Sequence, residues 1–299
     1  MRWRPSSTNQ VEDRRGAGGG GGLGGMRMGG LGGGGIPLPV GGGIGGIVLF
    51  VIVIVVMNLM GGSGGAGLGG GQGAATGPLA SNDGFGQFVN TVTVDVQSFW
   101  EREFKARNKD YPETVTVLFT EATQTGCGAA SAATGPFYCP ADGKVFIDEG
   151  FFEQLSTQFG ADGEFAHAYV IAHEYGHRVQ DVLGTMDKVQ SEQQSNPGKA
   201  NELSIRLELQ ADCFAGFWAS SVWRIPDLTA VESITEQDIQ DGLTAAAAIG
   251  DDRIQEKATG TVDKESWTHG SSEQRMKWFK VGFDQGTLES CDTFAVATP

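Results

Sequence analysis

The pentapeptide His173-Glu174-Tyr175-Gly176-His177 fits the pattern H-E-x-x-H. On a helix, two histidines four residues apart stand about 40° apart around the axis, so their imidazoles can hold one Zn²⁺. Glu174 lies between them, where a carboxylate can take a proton from water beside the metal. The chain has only 4 histidines, so this spacing around a glutamate seldom arises by chance. The motif predicts a central helix with a zinc hydrolase site, and the alternative is a purely structural helix.

A catalytic zinc site needs a third protein ligand and keeps a fourth position for water. The extended pattern H-E-x-x-H-x-x-G-x-x-H would require Gly at 180 and His at 183, but Gln180 and Leu183 stand there. The third ligand must therefore come from another element. Glu208, followed four residues later by Asp212, fits this requirement. We predict Glu208 as the ligand and Asp212 as the carboxylate that orients a ligand imidazole, although Glu208 could also be an exposed helix acid.

The two remaining histidines receive different predictions. His167 lies six residues before His173, about 120° away around the helix, so it is predicted not to bind the metal. His269 precedes a predicted helix start, where backbone N–H groups gather. It could donate to the oxyanion that forms when water attacks a peptide carbonyl, or it could only cap the structure. We predict the catalytic role, together with Glu174 as the general base.

An apolar segment interrupts a glycine-rich region near the N-terminus. More than half of the 48 glycines lie between residues 16 and 73, and residues 44–60 read IGGIVLFVIVIVVMNLM. As a helix this run would extend about 25 Å, the short end of a membrane span. A buried core helix is the alternative, but glycine-rich flanks offer nothing to bury it. We predict a transmembrane helix at 44–60, after a disordered cytoplasmic tail at 1–43 and before a flexible tether at 61–82.

Charge predicts how the chain is oriented and which partners it excludes. Five arginines precede the apolar run, against two acidic residues, so the positive-inside rule places the N-terminus in the cytoplasm and the later domain outside. A cleaved signal peptide fits less well because the segment before the run is too long. The part after residue 60 has 16 Lys and Arg against 34 Asp and Glu. Such a negative field repels nucleic acid, so we predict no nucleic-acid partner. The apolar run and the arginines before it predict a single-pass protein of the cell membrane.

All 4 cysteines follow the predicted span. An even number outside the cytoplasm indicates two disulfides, and the absence of C-x-x-C argues against a metal knuckle. Cys127 and Cys139 flank a short loop rich in Gly and Ala, where a bridge would stabilise the fold by about 3 kcal/mol. Cys213 would then pair with Cys291, although four cysteines allow three pairings.

The domain over residues 83–299 is predicted to be α+β and predominantly helical, with a small β-hairpin or sheet. Asp162 is expected to cap the helix that carries the motif, and Gly184 to end it. The polar stretch 190–199 is expected to be a loop. The hairpin either pairs with extended substrate or only packs. Apolar periodicity and turn residues predict helices at 85–107, 150–159, 201–223, 235–257 and from 271 or 272, a strand at 115–120 and a hairpin over 137–139 and 144–147.

Several stretches together resemble a known family. They are VEDRR from 11, GCG at 126, GPFYCPADGKVFID from 135, YVIAHEYGHRVQ from 169, ELQADCFAG from 208, AIGDDR from 248 and THGSSEQR from 268. This set is similar to bacterial neutral zinc metallopeptidases with an N-terminal membrane anchor. The resemblance implies a zincin-like domain of the gluzincin type, zinc at His173 and His177, Glu174 as the base and a polypeptide substrate. The E-x-x-x-D pair also resembles that of membrane-linked gluzincins, which supports Glu208 and Asp212.

The sequence thus predicts a membrane-tethered zinc endopeptidase acting outside the cytoplasm. One alternative is a non-catalytic, zinc-stabilised domain that binds or assembles envelope proteins. Glu174 favours the enzyme, because a binding module does not need a base beside the metal. A second alternative is a quality-control protease that faces the cytoplasm.

Overall fold

The structure, a computed structural model, describes residues 1–15, 79–80, 82–131, 134–225 and 230–299. These residues form a mostly helical α+β fold, as predicted. The helices are α1 (Gly84–Ala106), α2 (Glu149–Phe159), α3 (Glu164–Val182), α4 (Thr185–Ser195), α5 (Ala200–Arg224), α6 (Glu236–Ala248), α7 (Asp251–Thr259) and α8 (Ser272–Gln285). The strands are β1 (Arg2–Trp3), β2 (Val11–Asp13), β3 (Thr116–Phe119), β4 (Ala122–Thr125), β5 (Gly128–Ser131), β6 (Phe137–Cys139), β7 (Lys144–Asp148) and β8 (Val231–Ser233).

A four-stranded sheet in the order β2-β3-β7-β6 supports the helices. β3 runs parallel to β2 and β7, whereas β6 forms the predicted antiparallel hairpin with β7. Helices α1 and α3 pack on one face, and alternate residues on the other face, such as Val117 and Phe119, form a smaller apolar cluster with Ala130 of β5. A hydrogen bond of 2.9 Å joins Thr116 Oγ1 to the Tyr175 hydroxyl. The sheet therefore contacts the helix that carries the H-E-x-x-H motif directly.

Small residues bring α5 very close to its neighbours. A Cβ atom on Gly216 would lie 2.0 Å from the Phe279 carbonyl oxygen, and one on Gly282 would lie 1.9 Å from the Cys213 carbonyl oxygen. A Cβ on Gly176 would lie 2.9 Å from the Cα of Ala211. These three glycines allow the backbones of α3, α5 and α8 to touch, so polar groups on the facing turns are brought within bonding distance.

The N-terminal residues belong to the folded unit. β2 pairs in parallel with β3, β1 pairs with β8, and Val11 is buried in the main core. Arg15 forms ion pairs with Asp83 at the start of α1 and with Glu149 of α2. The prediction of a disordered tail is therefore wrong for residues 1–15, because main-chain pairing with β3 orders a segment too short and too polar to be recognised by pattern.

This pairing bears on the predicted membrane topology. Paired strands lie in the same compartment, so β2 and the rest of the domain share one side of any membrane. A single crossing between residues 15 and 82 would separate them, so a cytoplasmic N-terminus with an outer domain requires β2 to be unpaired. No helix among the described residues is long and apolar enough to cross a membrane. The predicted span at 44–60, residues 16–43 and most of the tether lie outside those residues.

Three local predictions are wrong. Asp162 does not cap α3; it accepts a hydrogen bond from Ser156, and Gly163 is the N-cap residue. Residues 190–195 continue α4, because Glu and Gln are good helix formers, and the helix ends only before Pro197. The single helix expected over 235–257 is two helices, since it ends before Gly250. A Cβ there would lie 2.4 Å from the Ser272 nitrogen, so α8 packs directly against this break.

The other boundaries agree with the sequence. Thr235 and Ser271 form capping boxes at the starts of α6 and α8, and Gly184 takes the left-handed conformation after α3. Disulfides join Cys127 to Cys139 and Cys213 to Cys291. The expected pairing is confirmed, and the second bridge ties the C-terminal segment to α5.

Candidate metal centre

Two helices build a compact group of possible metal ligands. α3 carries His173 and His177 on adjacent turns of one face, and α5 presents Glu208 toward them. Their ligand atoms all lie within 4.8 Å of one another. His173 Nε2 is 3.2 Å from Glu208 Oε2, and His177 Nε2 is 3.5 Å from Glu208 Oε1. The contact between Gly176 and Ala211 allows this approach, since a larger residue at 176 would push α5 away.

This donor set fits zinc. Both imidazoles turn Nε2 toward the shared space, while each Nδ1 atom contacts another side chain. Two imidazole nitrogens and one carboxylate are a common ligand set of catalytic zinc, and such a set leaves a position for water. Burial raises the pKa of Glu208, but His177 and His173 together hold it well below its usual range. Glu208 is therefore a carboxylate, the form that binds a cation.

Asp212 lies behind the group and orients His173. Its Oδ1 atom is 2.8 Å from His173 Nδ1 and accepts from the Tyr169 hydroxyl at 2.5 Å. Arg275 of α8 donates to both carboxylate oxygens at 2.9 Å. Burial raises the pKa of Asp212, but Arg275 and His173 lower it to about 2. Asp212 is where the sequence predicted, whereas Tyr169 and Arg275 were missed because nothing in their spacing links them to this carboxylate.

Glu174 lies next to the ligand group and is 8% exposed. Burial raises the pKa of its carboxyl group above the ordinary value, while His177 and His173 act in the opposite direction. The backbone of Tyr138, in edge strand β6, also lowers the pKa of this carboxyl group, and β6 packs against α3. The structure therefore places the predicted base between the ligand histidines and an edge of the sheet.

His269 approaches the group from the loop before α8. Its Nδ1 atom is 3.1 Å from Asp251 Oδ1, and the other oxygen of Asp251 accepts the backbone N–H groups of Thr268, His269 and Gly270 at 2.8, 2.6 and 3.0 Å. Burial lowers the pKa of His269, but Asp251 and Glu208 raise it above its ordinary value. His269 thus lies within the electrostatic field of Glu208. The sequence missed Asp251, which begins a helix that was expected to be continuous.

His167 does not belong to the group. Its ring packs against Phe152 and Phe88, with ring centroids 4.6 and 6.3 Å away. This agrees with the prediction from its angular position on α3.

One helix carries H-E-x-x-H, and a second helix adds a carboxylate. This arrangement defines a class of zinc-binding proteins in which the glutamate of the motif lies beside the metal ligands. The chain belongs to the family described as "Putative neutral zinc metallopeptidase", whose sequence profile matches residues 1–294. The resemblance to neutral zinc metallopeptidases is therefore confirmed, while the membrane anchor stays a prediction, and zinc is the metal that the family and the ligand group both indicate.

Related proteins occur in distant bacteria. The chain is 40% identical over 300 residues to "Uncharacterized protein YpfJ" of Escherichia coli (strain K12). The aligned region covers 98% of this chain and 99% of the relative. It is 48% identical over 185 residues to "Uncharacterized protein Rv2575" of Mycobacterium tuberculosis (strain ATCC 25618 / H37Rv). This aligned region covers 60% of this chain and 62% of the relative. No solved structure matches the chain.

Proposed function

We propose that this protein is a zinc-dependent endopeptidase. The position of Glu174 is the observation that supports this proposal most strongly. A site that only stabilises a fold needs ligands, but it does not need a buried carboxylate beside them. Glu174 adjoins both ligand histidines, and both act electrostatically on its buried carboxyl group.

The side chains have distinct roles in peptide hydrolysis. His173, His177 and Glu208 would hold the zinc ion, which when bound would supply Lewis-acid chemistry to the attacking water and the scissile carbonyl. Glu174 accepts a proton from the attacking water and then delivers it to the leaving amine nitrogen. Asp212 keeps His173 in the orientation that directs Nε2 toward Glu208.

His269 is assigned to the oxyanion that forms as water attacks. Asp251 accepts from the Nδ1 atom of His269 and from the backbone around it, so the ring has a fixed orientation in which Nε2 can donate when the imidazole is protonated. A donor held in place before the reaction stabilises developing charge without reorganisation. Asp251 is therefore a positioning residue for His269.

Edge strand β6 is the candidate docking site for an extended polypeptide. β6 is the last strand of the four-stranded sheet, and it packs against α3, the helix that carries Glu174. An extended chain that adds to such an edge gains main-chain hydrogen bonds and passes beside the base. This arrangement suits an endopeptidase, because the bound chain can continue in both directions.

We further propose that the domain works outside the cytoplasm together with its N-terminal strands, and that the apolar run at 44–60 attaches it to the outer side of the cell membrane. Two disulfides support the location, since they persist in oxidising compartments. In intact cells, a membrane-impermeant thiol reagent should label the domain only after reduction. If all four cysteines proved to be free thiols in the cytoplasm, this location would be wrong.

Metal analysis and a peptide-library cleavage assay on the full chain test the enzymatic proposal. Glu174→Gln should retain zinc and lose cleavage, whereas Glu208→Ala should lose both. Glu153→Gln, at an exposed position on α2, is the matched control and should cleave like the parent. The proposal fails if Glu174→Gln cleaves peptides as fast as the parent while holding zinc. A parent that binds zinc but cleaves nothing would favour the non-catalytic binding domain.

A further inference from the structure

A buried glutamine on the motif helix contacts the second ligand histidine. Gln180 is 0% exposed, and its Oε1 atom is 2.9 Å from His177 Nδ1. Its Nε2 atom donates to the Leu207 carbonyl oxygen at 2.7 Å. A carbonyl oxygen can only accept, so the amide has one orientation, with its nitrogen toward Leu207 and its oxygen toward His177.

This orientation determines the tautomer of His177. Because Gln180 Oε1 can only accept, Nδ1 of His177 must carry the hydrogen. The lone pair of the neutral ring is then on Nε2, the atom 3.5 Å from Glu208 Oε1. The ring thus presents its unprotonated nitrogen to the space shared with His173.

The hydrogen-bonded chain continues to the C-terminal disulfide. Gln180 Nε2 is also 3.2 Å from Gln210 Oε1, and Gln210 Nε2 donates to the Cys291 carbonyl oxygen at 2.9 Å. Cys291 is bonded to Cys213 of α5. Each amide nitrogen therefore has a backbone carbonyl as its acceptor, which prevents either amide from rotating by half a turn.

We propose that Gln180 and Gln210 form a positioning relay that prepares His177 to bind zinc, an inference that rests on the proposed metal site. His173 is oriented by the carboxylate of Asp212, which Arg275 neutralises, whereas His177 is oriented by a neutral amide. Partners of ligand histidines fix ring orientation and contribute to metal affinity. Neither glutamine touches the substrate or the metal, so both act through His177.

Zinc affinity of the full chain, measured by competition with a chromogenic chelator, tests the relay. Gln180→Met keeps the length of the side chain and removes its hydrogen bonds, so the dissociation constant should rise about 10-fold to 100-fold. Gln210→Met should raise it less. Gln193→Met is the matched control, because Gln193 is also buried and its Nε2 donates to the Ala200 carbonyl and the Ser204 hydroxyl at 2.9 Å, away from the ligands. Its affinity should equal that of the parent.

The visible spectrum of the Co²⁺ form gives a second readout, because it reports ligand geometry and should change in Gln180→Met but not in Gln193→Met. The relay is refuted if Gln180→Met binds zinc as tightly as the parent, or if Gln193→Met weakens binding equally. If Gln180→Met does not fold, Gln210→Met decides, and parental affinity in that variant refutes the relay. A parent that binds no zinc overturns both this inference and the proposed function, whereas a parent that binds zinc beside an unaffected Gln180→Met overturns the relay alone.

Discussion

Removal of residues 1–15 should destabilise the domain strongly, although these residues are far from the motif in sequence. Within this segment, Gln10 interacts with three neighbours through its backbone and side chain: Thr116, Asn90 and Gln97. Further bonds join Thr8 to Asn90, Ser6 to Thr91 and Arg14 to Leu118. At about 1 kcal/mol of net stabilisation each, these six bonds contribute roughly 6 kcal/mol. Domains of this kind are stable by only about 5–15 kcal/mol, so the loss should leave residues 79–299 near the unfolding threshold.

Three shortened proteins isolate the contribution of the N-terminal strands in a urea titration followed by circular dichroism. The first is residues 79–299 alone, and the second is the same fragment with a synthetic peptide of residues 1–15. In the third, a short Gly/Ser linker joins residue 15 to residue 79, which the contact between Arg15 and Asp83 makes possible. The linked chain should match the parent, the fragment alone should unfold at much lower urea, and the peptide should partly restore the midpoint.

A fragment 79–299 whose free energy of unfolding lies within about 1 kcal/mol of that of the linked chain would refute a stabilising role of the N-terminal strands. A scrambled peptide that stabilises the fragment as well as the native peptide would also count against specific pairing of β2 with β3.

Four further predictions concern packing, charge and topology. Gly282→Ala should destabilise the apo-protein by at least about 2 kcal/mol in urea unfolding, because the new methyl group meets the Cys213 carbonyl, whereas Gly198→Ala, with open space around it, should have little effect. Arg275→Met should cost about 3–5 kcal/mol in the same assay, since it leaves the Asp212 carboxylate buried without its cation. Hydrogen bonds from Arg15 lower the pKa of Asp13. Burial raises the pKa of Asp83, but Arg15 lowers it below the ordinary value. The stabilisation from both ion pairs is therefore present above the ordinary pKa of 3.8 and is lost as the pH falls below it. Arg15→Gln should therefore be less stable than the parent at pH 7, by up to about 1 kcal/mol per ion pair, and the difference should shrink below pH 3.8. In intact cells, a cysteine at Ser7 should react with an impermeant reagent as one at Glu153 does, because both positions are exposed on the same folded unit.

The ligand group could be predicted because its chemistry has a regular spacing in the sequence. His173 and His177 share a helix face, and Glu208 and Asp212 repeat the same four-residue interval on a second helix. Helical periodicity then places each pair on one side, and the small residues around Ala211 indicate that the helices approach closely. The contact between the two helices had to be inferred, because local sequence pattern does not show which helices pack together.

The supporting residues could not be predicted in this way. Arg275 contacts Asp212 across 63 positions of sequence, and Asp251 contacts His269 across 18. In each case the partner is selected by tertiary packing, and a lone Arg or Asp in a helical pattern is normally an exposed residue. The break at Gly250 illustrates the same limit, because the helix ends there where α8 packs against the backbone.

The N-terminal segment shows how a composition-based interpretation can mislead about topology. The glycine-rich region begins immediately after Arg15, and this residue is ion-paired with Asp83, which caps α1. The two ends of the intervening chain are therefore held together at one point of the fold. The positive-inside rule assumes that the flanking arginines are free to stay in the cytoplasm, whereas Arg14 and Arg15 are bonded within the domain. Arg2 and Arg4 also bond to residues of the domain, Ser233 and Glu232, so four of the five arginines on which the predicted orientation depended belong to the folded unit.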